Sequence, residues 1–538
     1  MGAVQVLAPP RAAVAKKTVN PWVIALTVTL ATFMELLDTS IANVSLPHIA
    51  GGLGRSFDEV TWILTTYLVA NAVVLPMSAW LSRVFGRKNY YMACVALFTL
   101  TSFFCGIAPS LSVLLLSRVL QGIGGGGLAP VEQAILVDTF PPAKRASAFA
   151  LYTVAIVTAP AIGPVLGGWI TDNYNWRWVF LINIPVGLLS LYLTNRFVSD
   201  PPVFQEEREN AKRNGQFRID GIGIGLIALG SAALEILLDR GQIDDWFGSR
   251  FICWLFAIAL VCFAVAIYWE LKTDDPIIEL RLLRYPNFAI ASVFYFIFGF
   301  GSFATAAMIP QMLQSLYGYQ AVDAGLVLGP GAFVITVLAP VGAQLVQRKI
   351  VHPRMLLAFS LVTISASMLY YSGLTLQTDY WHYAFARAFQ GLGYAFFFVP
   401  LTVVAYSQLK PNENNRASSL TNLFRNWGGS FGISFATTMS ERRQSFHQSV
   451  MSANLPASSA WLQNSIRQTT NYLTTQGYSH ADAVRAATLR YYNQLTAQTS
   501  LLGFMDVFRA IGWVTLAVTP LLFFLQKFQL GGKPSGGH

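Results

Sequence analysis

Residues 111–136 read LSVLLLSRVLQGIGGGGLAPVEQAIL, and after a short basic break residues 146–170 read ASAFALYTVAIVTAPAIGPVLGGWI. Both stretches are long and apolar enough to cross a bilayer as helices, since about 20 apolar residues suffice. The first nevertheless contains Arg118, Gln121 and Glu132. A charge at the centre of a spanning helix costs about 2.5–3.5 kcal/mol even on the lenient insertion scale. Such a group is expected to face a cavity or a partner, and it indicates a transport pathway.

Apolar runs of this length recur along the whole chain, so we predict an all-α, polytopic membrane protein. Of its 538 residues, 54% are hydrophobic and only 12% are charged, against about 25% charged residues in a soluble domain. We expect fourteen spans, at about 21–43, 60–82, 90–108, 111–138, 146–171, 178–198, 220–239, 250–270, 287–313, 323–346, 354–376, 380–406, 416–440 and 506–527.

The distribution of basic residues orients these spans. Together with the span ends next to them, the tails and loops on the side of the N-terminus hold 23 Lys and Arg, whereas those on the opposite side hold 9. Basic residues concentrate on the cytoplasmic side of a membrane protein, so both termini are predicted to be cytoplasmic. The net charge of +10 is then mostly a topology signal, and we expect no nucleic-acid partner.

An internal repeat divides the chain into two halves. RVLQGIG at 118–124 returns as RAFQGLG at 387–393. Both copies lie in even-numbered spans and therefore cross the membrane in the same direction. The repeat predicts two six-span bundles with substrate bound between them near the membrane midplane. We expect the repeated motif to line this substrate cavity through Gln121, Gly122, Arg387 and Gln390.

The repeat leaves two spans over, which we place between the halves. The predicted parts are a cytoplasmic tail 1–20, a bundle 21–198, a cytoplasmic linker 199–219, two inserted spans 220–270, a bundle 287–527 and a flexible cytoplasmic tail 528–538. Residues 441–505 form a long outer loop, predicted to be periplasmic, in which the pattern over 479–502 predicts a helix. This loop is interpreted either as a helical cap on the membrane surface or as a docking surface for a partner.

Other function classes find little support in the sequence. Cys94 and Cys105 lie about 16 Å apart by helical rise, which is too far for a disulfide. The sequence contains no metal-ligand cluster, no nucleophile–base pair and no phosphate-binding Gly-x-x-x-x-Gly-Lys-Ser/Thr loop. We therefore expect neither an enzyme nor ATP-driven transport.

Span 1 supplies two acids in the segment ELLDTSIANVSLP. Glu35 and Asp38 lie three residues apart, on one face of the helix. By depth, Asp38 and Arg118 fall in the same third of the membrane core, where they pair or share a cavity. A carboxyl in such a place can load and release a proton as its surroundings change. We predict Asp38 as the proton carrier, tuned by Arg118, with Glu35 and Glu132 as alternatives. The purely structural alternative is that Asp38 and Arg118 form a static ion pair that locks the helices of the first half.

Two further motifs suggest moving parts. The segment SRVFGRK at 82–88 joins spans 2 and 3. Its Gly86, Arg87 and Lys88 are predicted to latch a cytoplasmic gate, with Asp138 as candidate partner, although simple positive-inside anchoring also explains them. Because proline kinks a helix and glycine admits a neighbouring backbone, we predict a hinge in span 5 at Pro160, Gly163, Pro164, Gly167 and Gly168.

Together these motifs resemble the major facilitator superfamily, and within it the fourteen-span drug:proton antiporters of the EmrB/QacA type. The resemblance covers essentially the whole chain. It rests on LDTSIANVSLP at 37–47, GRK at 86–88, RVLQG at 118–122 and GP-x-x-GG at 163–168, with YNWRWVFLINIPVG at 174–187 and ERRQSFHQ at 441–448 closest to the EmrB side. The chain departs from the family pattern at Ala159, where glycine is usual, and in 82–88, where an aspartate is usual.

The resemblance implies an exporter of the inner membrane that trades inward protons for outward drugs, with no cofactor besides the coupling proton. EmrB-like pumps work with a periplasmic adaptor, an EmrA-like membrane fusion protein, and an outer-membrane channel, so we expect such partners. The apolar, aromatic-rich composition fits hydrophobic or amphipathic compounds. The alternatives are a proton-coupled symporter for a small nutrient, against which the span 5 motif argues, and a non-transporting scaffold or sensor, which would leave the buried charges without a role.

Overall fold

A computed structural model gives the fold of residues 20–141, 144–200, 220–273, 276–410, 413–454 and 459–526. The regular structure of these residues is helical throughout. Thirteen helical segments of the described residues, some of them made of two consecutive helices, are long and apolar enough to cross a membrane, which confirms the predicted all-α, polytopic class. The two predicted tails and most of the linker 199–219 lie outside the described residues.

The first half contains six spans, of which two are divided. Local sequence sets the helix ends: Asn20 caps the first helix ahead of Pro21, and Ser56 and Glu59 form a reciprocal capping box on the second. The helices are Pro21–Leu53 (α1), Phe57–Phe85 (α2), Arg87–Gly106 (α3), Leu111–Gly125 (α4), Leu128–Thr139 (α5), Arg145–Asn173 (α6), Trp178–Leu181 (α7) and Asn183–Phe197 (α8).

Two inserted helices separate this half from the second. They are Gly221–Arg240 (α9) and Arg250–Lys272 (α10). The second half contains Pro286–Tyr317 (α11), Ala321–Leu326 (α12), Gly329–Gln347 (α13), Pro353–Tyr371 (α14), Tyr380–Ala395 (α15), Phe398–Ala405 (α16), Asn414–Asn454 (α17), Ala460–Thr475 (α18) and His480–Ala517 (α19). Short 3₁₀ turns lie at Trp246–Gly248, Leu280–Arg284 and Thr519–Phe524.

The internal repeat is visible in the backbone. Span 4 breaks between α4 and α5 after Gly125, and span 12 breaks at the equivalent point, between α15 and α16 after Ala395. Irregular backbone at membrane depth is tolerated where it is buried in protein. The shared break supports the division into two related bundles.

The predicted span 416–440 lies in α17 but is not among the thirteen apolar helices. Several of its buried residues are polar, and most of these hydrogen-bond to the first half. They include Ser418, Ser419, Thr421, Asn422 and Arg425. The helix is therefore long enough to span a membrane, although its composition is less apolar than that of the other spans.

The segment 441–505, expected to be a loop, is mostly helical. Helix α17 continues without interruption to Asn454, α18 follows, and α19 already begins at His480. The helix predicted over 479–502 is thereby confirmed. Tyr491 of α19 lies against α18, where its hydroxyl is 3.1 Å from that of Thr469, so the three helices form one extension of spans 13 and 14.

The two halves meet along two seams. Helix α6 of the first half runs along α12 and α13, and α17 of the second half runs along α2 and α5. The inserted helix α9 lies outside the second seam and contacts α2 and α17. Glu235 of α9 accepts a hydrogen bond from Ser430 of α17 at 2.8 Å, and Asp239 accepts one from Thr65 of α2. The insertion thus contacts both halves.

The seams are closed at the end where α1 begins. Ser419 donates to the Leu75 carbonyl oxygen at 2.9 Å, and Ser418 donates to that of Pro130 at 3.0 Å. Across the other seam, Phe149 stacks on Tyr406 with ring centroids 6.2 Å apart. The described conformation therefore has its predicted cytoplasmic end shut.

Candidate functional site

Asp38 and Arg118 form a buried ion pair between α1 and α4. Arg118 Nη1 lies 2.6 Å from Asp38 Oδ2, and both side chains are fully buried. The guanidinium also donates to Gln121 Oε1 at 2.7 Å and to the Ile63 carbonyl oxygen at 3.1 Å. Asp38 Oδ1 accepts from Gln121 Nε2 at 3.2 Å and from Asn183 Nδ2 at 2.6 Å. The predicted depth match between Asp38 and Arg118 is therefore a direct contact.

This network holds its charges in place. A buried ion pair is tolerated when further hydrogen bonds satisfy its remaining polar atoms, and here α1, α2, α4 and α8 all contribute such groups. All four helices belong to the first half. Asn183 was missed by the sequence analysis, although an amide inside the apolar run of 178–198 was a signal that could have found it.

Glu35 and Glu132 are buried in a different way, because neither forms an ion pair within the described residues. Glu35 Oε1 accepts from Asn71 Nδ2 at 3.0 Å and from the Tyr67 hydroxyl at 3.2 Å. Glu132 Oε1 accepts from the Thr29 hydroxyl at 2.6 Å, while its Oε2 has no hydrogen-bond partner in the described part of the chain. An uncompensated charge in an apolar interior is costly, so protonation changes the energy of these carboxyls more than that of a paired one.

The second half contributes a buried arginine that the sequence analysis did not single out. Arg425 of α17 donates Nη1–H to the Tyr152 hydroxyl of α6 at 2.9 Å. The same hydroxyl donates to Asn422 Oδ1 at 3.3 Å, and Gln133 Nε2 of α5 donates to that oxygen at the same distance. These contacts cross from one half to the other, so a polar network joins α17 to α5 and α6 across the seam.

The repeat of Arg118 lacks an acid. Arg387 donates to Gln390, and Gln390 donates in turn to the hydroxyls of Tyr394 at 3.1 Å and Thr305 at 3.3 Å. No carboxylate pairs with Arg387 among the described residues. The second copy of the motif therefore keeps the arginine–glutamine contact of the first copy without its ion pair.

The four residues predicted to line the substrate cavity contact their own halves in this conformation. Gln121 bonds within the Asp38 network, and Gln390 bonds within the second half. A Cβ at Gly122 would lie 2.4 Å from the Tyr67 carbonyl oxygen, so this glycine permits close contact between α4 and α2. Their role in binding substrate stays a prediction.

The predicted gate residues form an ion pair at the closed end. Gly86 has φ 89°, a conformation that favours glycine, and it ends α2 just before Arg87. Arg87 pairs with Asp138, the partner expected from the sequence. Lys88 Nζ donates to the Asn195 carbonyl oxygen at 2.7 Å. A cavity of about 480 Å³ adjoins this pair.

The predicted hinge lies in α6, which continues as one helix through both of its prolines. Ser40 of α1 donates to the Pro160 carbonyl oxygen at 3.2 Å. A Cβ at Gly163 would lie 2.2 Å from Ser40 Oγ, and one at Gly167 would lie 3.1 Å from the Ile41 side chain. Gly168 is buried as well. The glycines thus allow α6 to pack closely against α1.

The opposite side of α6 faces the second half. A Cβ at Gly325 of α12 would lie 3.0 Å from the Pro164 side chain. Helix α6 therefore has close contacts on both sides, which is the position that a hinge between the halves requires.

A known family has this arrangement of two related bundles. Residues 28–433 match the Major Facilitator Superfamily, and the chain belongs to that superfamily. It is accordingly a membrane transporter and not an enzyme. Within the superfamily it is EmrB-like, as the following relatives show.

The multidrug export protein EmrB of Escherichia coli strain K12 is 34% identical over 523 residues, covering 96% of this chain and 98% of the relative. The fatty acid resistance protein FarB of Neisseria gonorrhoeae is 34% identical over 518 residues, with the same coverage of 96% and 98%. A bacterial homologue of the human lysosomal transporter Spinster, solved in an inward-facing, unoccupied conformation, has a similar fold. Its TM-score is 0.53 at 17% identity, covering 94% of this chain and 96% of that one.

Proposed function

We propose that this transporter exports hydrophobic or amphipathic drugs across the inner membrane in exchange for protons. Drug export is supported by relatives named multidrug export protein EmrB and probable multidrug resistance protein EmrY. Proton exchange is supported by one observation: Glu35, whose hydrogen-bond donors lie on the seam helix α2, and Glu132 of the seam helix α5 are buried with no cation paired to either among the described residues.

The acids differ in their surroundings, and we therefore propose a different proton carrier from the one predicted from the sequence. Asp38 was the first candidate for the proton carrier, but Arg118 and two amides hold it in a nearly saturated network. Glu35 and Glu132 accept hydrogen bonds from neutral donors only. Gaining or losing a proton therefore changes the energy of these carboxyls more than that of Asp38, which is paired with Arg118. We assign proton transport to these two carboxyls, while the Asp38–Arg118 pair keeps the first half rigid around them.

Exchange then follows from alternating access. With the halves open to the outside, a carboxyl takes up a proton and drug leaves. With the halves open to the cytoplasm, drug binds and the proton is released. The ionic and neutral forms of the carboxyl favour different arrangements of the seam, and a ligand can shift such an equilibrium only through this difference.

The test uses purified protein in lipid vesicles with an imposed pH gradient and a hydrophobic fluorescent dye. Gradient-driven dye uptake that an uncoupler abolishes is expected of the natural protein. Glu35→Gln with Glu132→Gln should still bind dye but release no protons on binding. Glu235→Gln is the matched control, because Glu235 is a buried acid of the inserted helix α9. Dye uptake that is indifferent to the gradient contradicts proton exchange.

The helical extension beyond spans 13 and 14 is proposed to dock an EmrA-like periplasmic adaptor, which in turn meets an outer-membrane channel. Large aromatic side chains are exposed on it, including Trp461, Tyr472 and Tyr492. Exposed apolar groups gathered on one surface are typical of interaction sites.

Deleting 456–497 tests this assignment, because the deletion removes α18 and the outer part of α19. The shortened protein should still insert, bind dye and transport in vesicles, but efflux from cells that contain the adaptor should fall. Unchanged efflux in such cells rules out docking at this extension.

A further inference from the structure

Buried charges are distributed unevenly between the two halves. In the first half of the described chain they are Glu35, Asp38, Arg87, Arg118 and Glu132. In the second half they are the two arginines Arg387 and Arg425. Asp38 and Arg118 neutralise each other, and Arg87 is paired with Asp138. The unpaired buried charges are therefore acidic on one side of the seam and basic on the other.

Arg425 belongs to the polar network that joins α17 to the first half across the seam. Among the described residues it forms an ion pair with neither acid, but the hydrogen-bond network that it joins through Tyr152 and Asn422 reaches Gln133, the residue that follows Glu132. It is 3% exposed, and its Nε has no hydrogen-bond partner in the described part of the chain. Its strongest contact with the first half is the 2.9 Å hydrogen bond to the Tyr152 hydroxyl. A buried cation with incomplete hydrogen bonding is stabilised by any negative charge nearby.

Arg387 is a matched comparison within the same half. It is also buried, at 6% exposure, and also lacks an acid. Its hydrogen bond goes to Gln390 and its side chain lies against Gly331, both within the second half. Arg387 and Arg425 thus differ in one respect that matters here, since only the contacts of Arg425 cross the seam.

Few other charges compete at this place. Among the described residues, the titratable groups around Glu35, Glu132 and Arg425 are Asp38, Arg118, Tyr67, Tyr91, Cys94, Tyr152 and Tyr295. Glu235 of α9 also lies against α17, at Ser430, on the side away from the first-half acids of α1 and α5. Tyrosine and cysteine ordinarily carry no charge near neutral pH, and Asp38 is neutralised by Arg118. The balance of charge across the seam is consequently set by Glu35, Glu132 and Arg425.

We infer that Arg425 is the positioning residue that couples proton binding at Glu35 and Glu132 to the contact between the two halves. This inference rests on the proton exchange proposed above. Ionised carboxyls attract Arg425 and hold the seam together. Protonation removes that attraction and leaves a buried cation without compensation, which favours separation of the halves.

The experiment measures substrate-induced proton release from the purified full-length protein as a function of pH, using the same hydrophobic dye. A nearby positive charge makes a carboxyl lose its proton more easily. Arg425→Gln should therefore move the midpoint of proton release to higher pH by about one pH unit or more. Arg425→Lys keeps the charge and should restore a midpoint close to that of the natural protein. Arg387→Gln should leave the midpoint unchanged.

The outcomes separate this inference from the function on which it rests. Proton release with an unchanged midpoint in Arg425→Gln overturns the role of Arg425 and leaves proton exchange intact. Absence of proton release from the natural protein at every pH overturns proton exchange itself. An equal shift in Arg387→Gln also overturns the inference, because the effect then reflects net charge and not the seam.

A second variant tests the inference if Arg425→Gln does not fold. Tyr152→Phe removes only the hydroxyl that fixes the guanidinium at the seam. It should shift the midpoint in the same direction by a smaller amount and slow gradient-driven transport. A Tyr152→Phe protein that is folded and identical to the natural protein in both measurements also overturns the inference.

Discussion

At the residue scale, the structure separates two kinds of buried acid that look alike in the sequence. Asp38 is fixed by a cation and two amides, whereas Glu35 and Glu132 are held by neutral donors. The contact of Asp38 with Arg118 could be predicted from their depths along two helices. The network that joins Arg425 to Tyr152 and Gln133 could not be predicted, because one sequence does not say how two bundles are rotated against each other.

The fixed acid leads to a prediction about stability. Asp38→Asn leaves Arg118 buried without its counter-charge, and breaking a buried pair in this way costs about 3–5 kcal/mol. We expect the thermal unfolding midpoint of Asp38→Asn in detergent to fall clearly below that of the natural protein. Glu35→Gln is the control, because an amide oxygen still accepts the hydrogen bonds of Tyr67 and Asn71. Equal loss of stability in the two variants contradicts the distinction drawn here.

At the scale of elements, composition and repeat predicted the spans, but not where they break or continue. The sequence placed a loop at 441–505, because polar residues there interrupt the apolar pattern. The structure continues α17 and begins α19 within it, since helices that pack on one another outside the membrane need no apolar outer face. Hydropathy likewise underestimates α17 as a span, because this helix packs against protein and needs no apolar surface towards lipid on that side.

Close contact of α6 with α1 leads to a second prediction. Gly163→Ala places a Cβ 2.2 Å from Ser40 Oγ and 2.4 Å from Ser40 Cβ, so one of the two helices must shift. Such overpacking costs about 1–3 kcal/mol, and we expect both stability and the transport rate to fall. Gly225→Ala on α9 is the matched control, because nothing lies within 4 Å of its Cβ. Full transport by Gly163→Ala contradicts the hinge.

The gate pair leads to a third prediction. Asp138→Asn removes the carboxylate that faces buried Arg87, so the closed end should be weakened and transport impaired. Exchanging the two charges, with Arg87→Asp and Asp138→Arg together, should recover part of the lost transport. If positive-inside anchoring were the whole role of Arg87, Asp138→Asn would transport normally.

At the scale of the whole molecule, topology remains a prediction from the distribution of Lys and Arg. In a Cys253→Ser background, which removes the exposed cysteine among the four, Arg213→Cys should resist an impermeant thiol reagent in intact cells. Gln476→Cys, placed between α18 and α19 at an exposed position, should react. Labelling at position 213 in intact cells reverses the orientation.

Helix α17 has a mechanical consequence at this scale. It is one continuous rod of 41 residues, which at helical rise is about 60 Å long. Arg425 lies within the predicted span 416–440 of this helix. Asn454 lies 29 residues further on, about 43 Å away along the axis. A tilt of about 10° at the arginine therefore displaces the far tip by about 7 Å over that length. Under the coupling proposed above, the binding or release of a proton at Glu35 or Glu132 would therefore displace the far end of α17 by several ångströms.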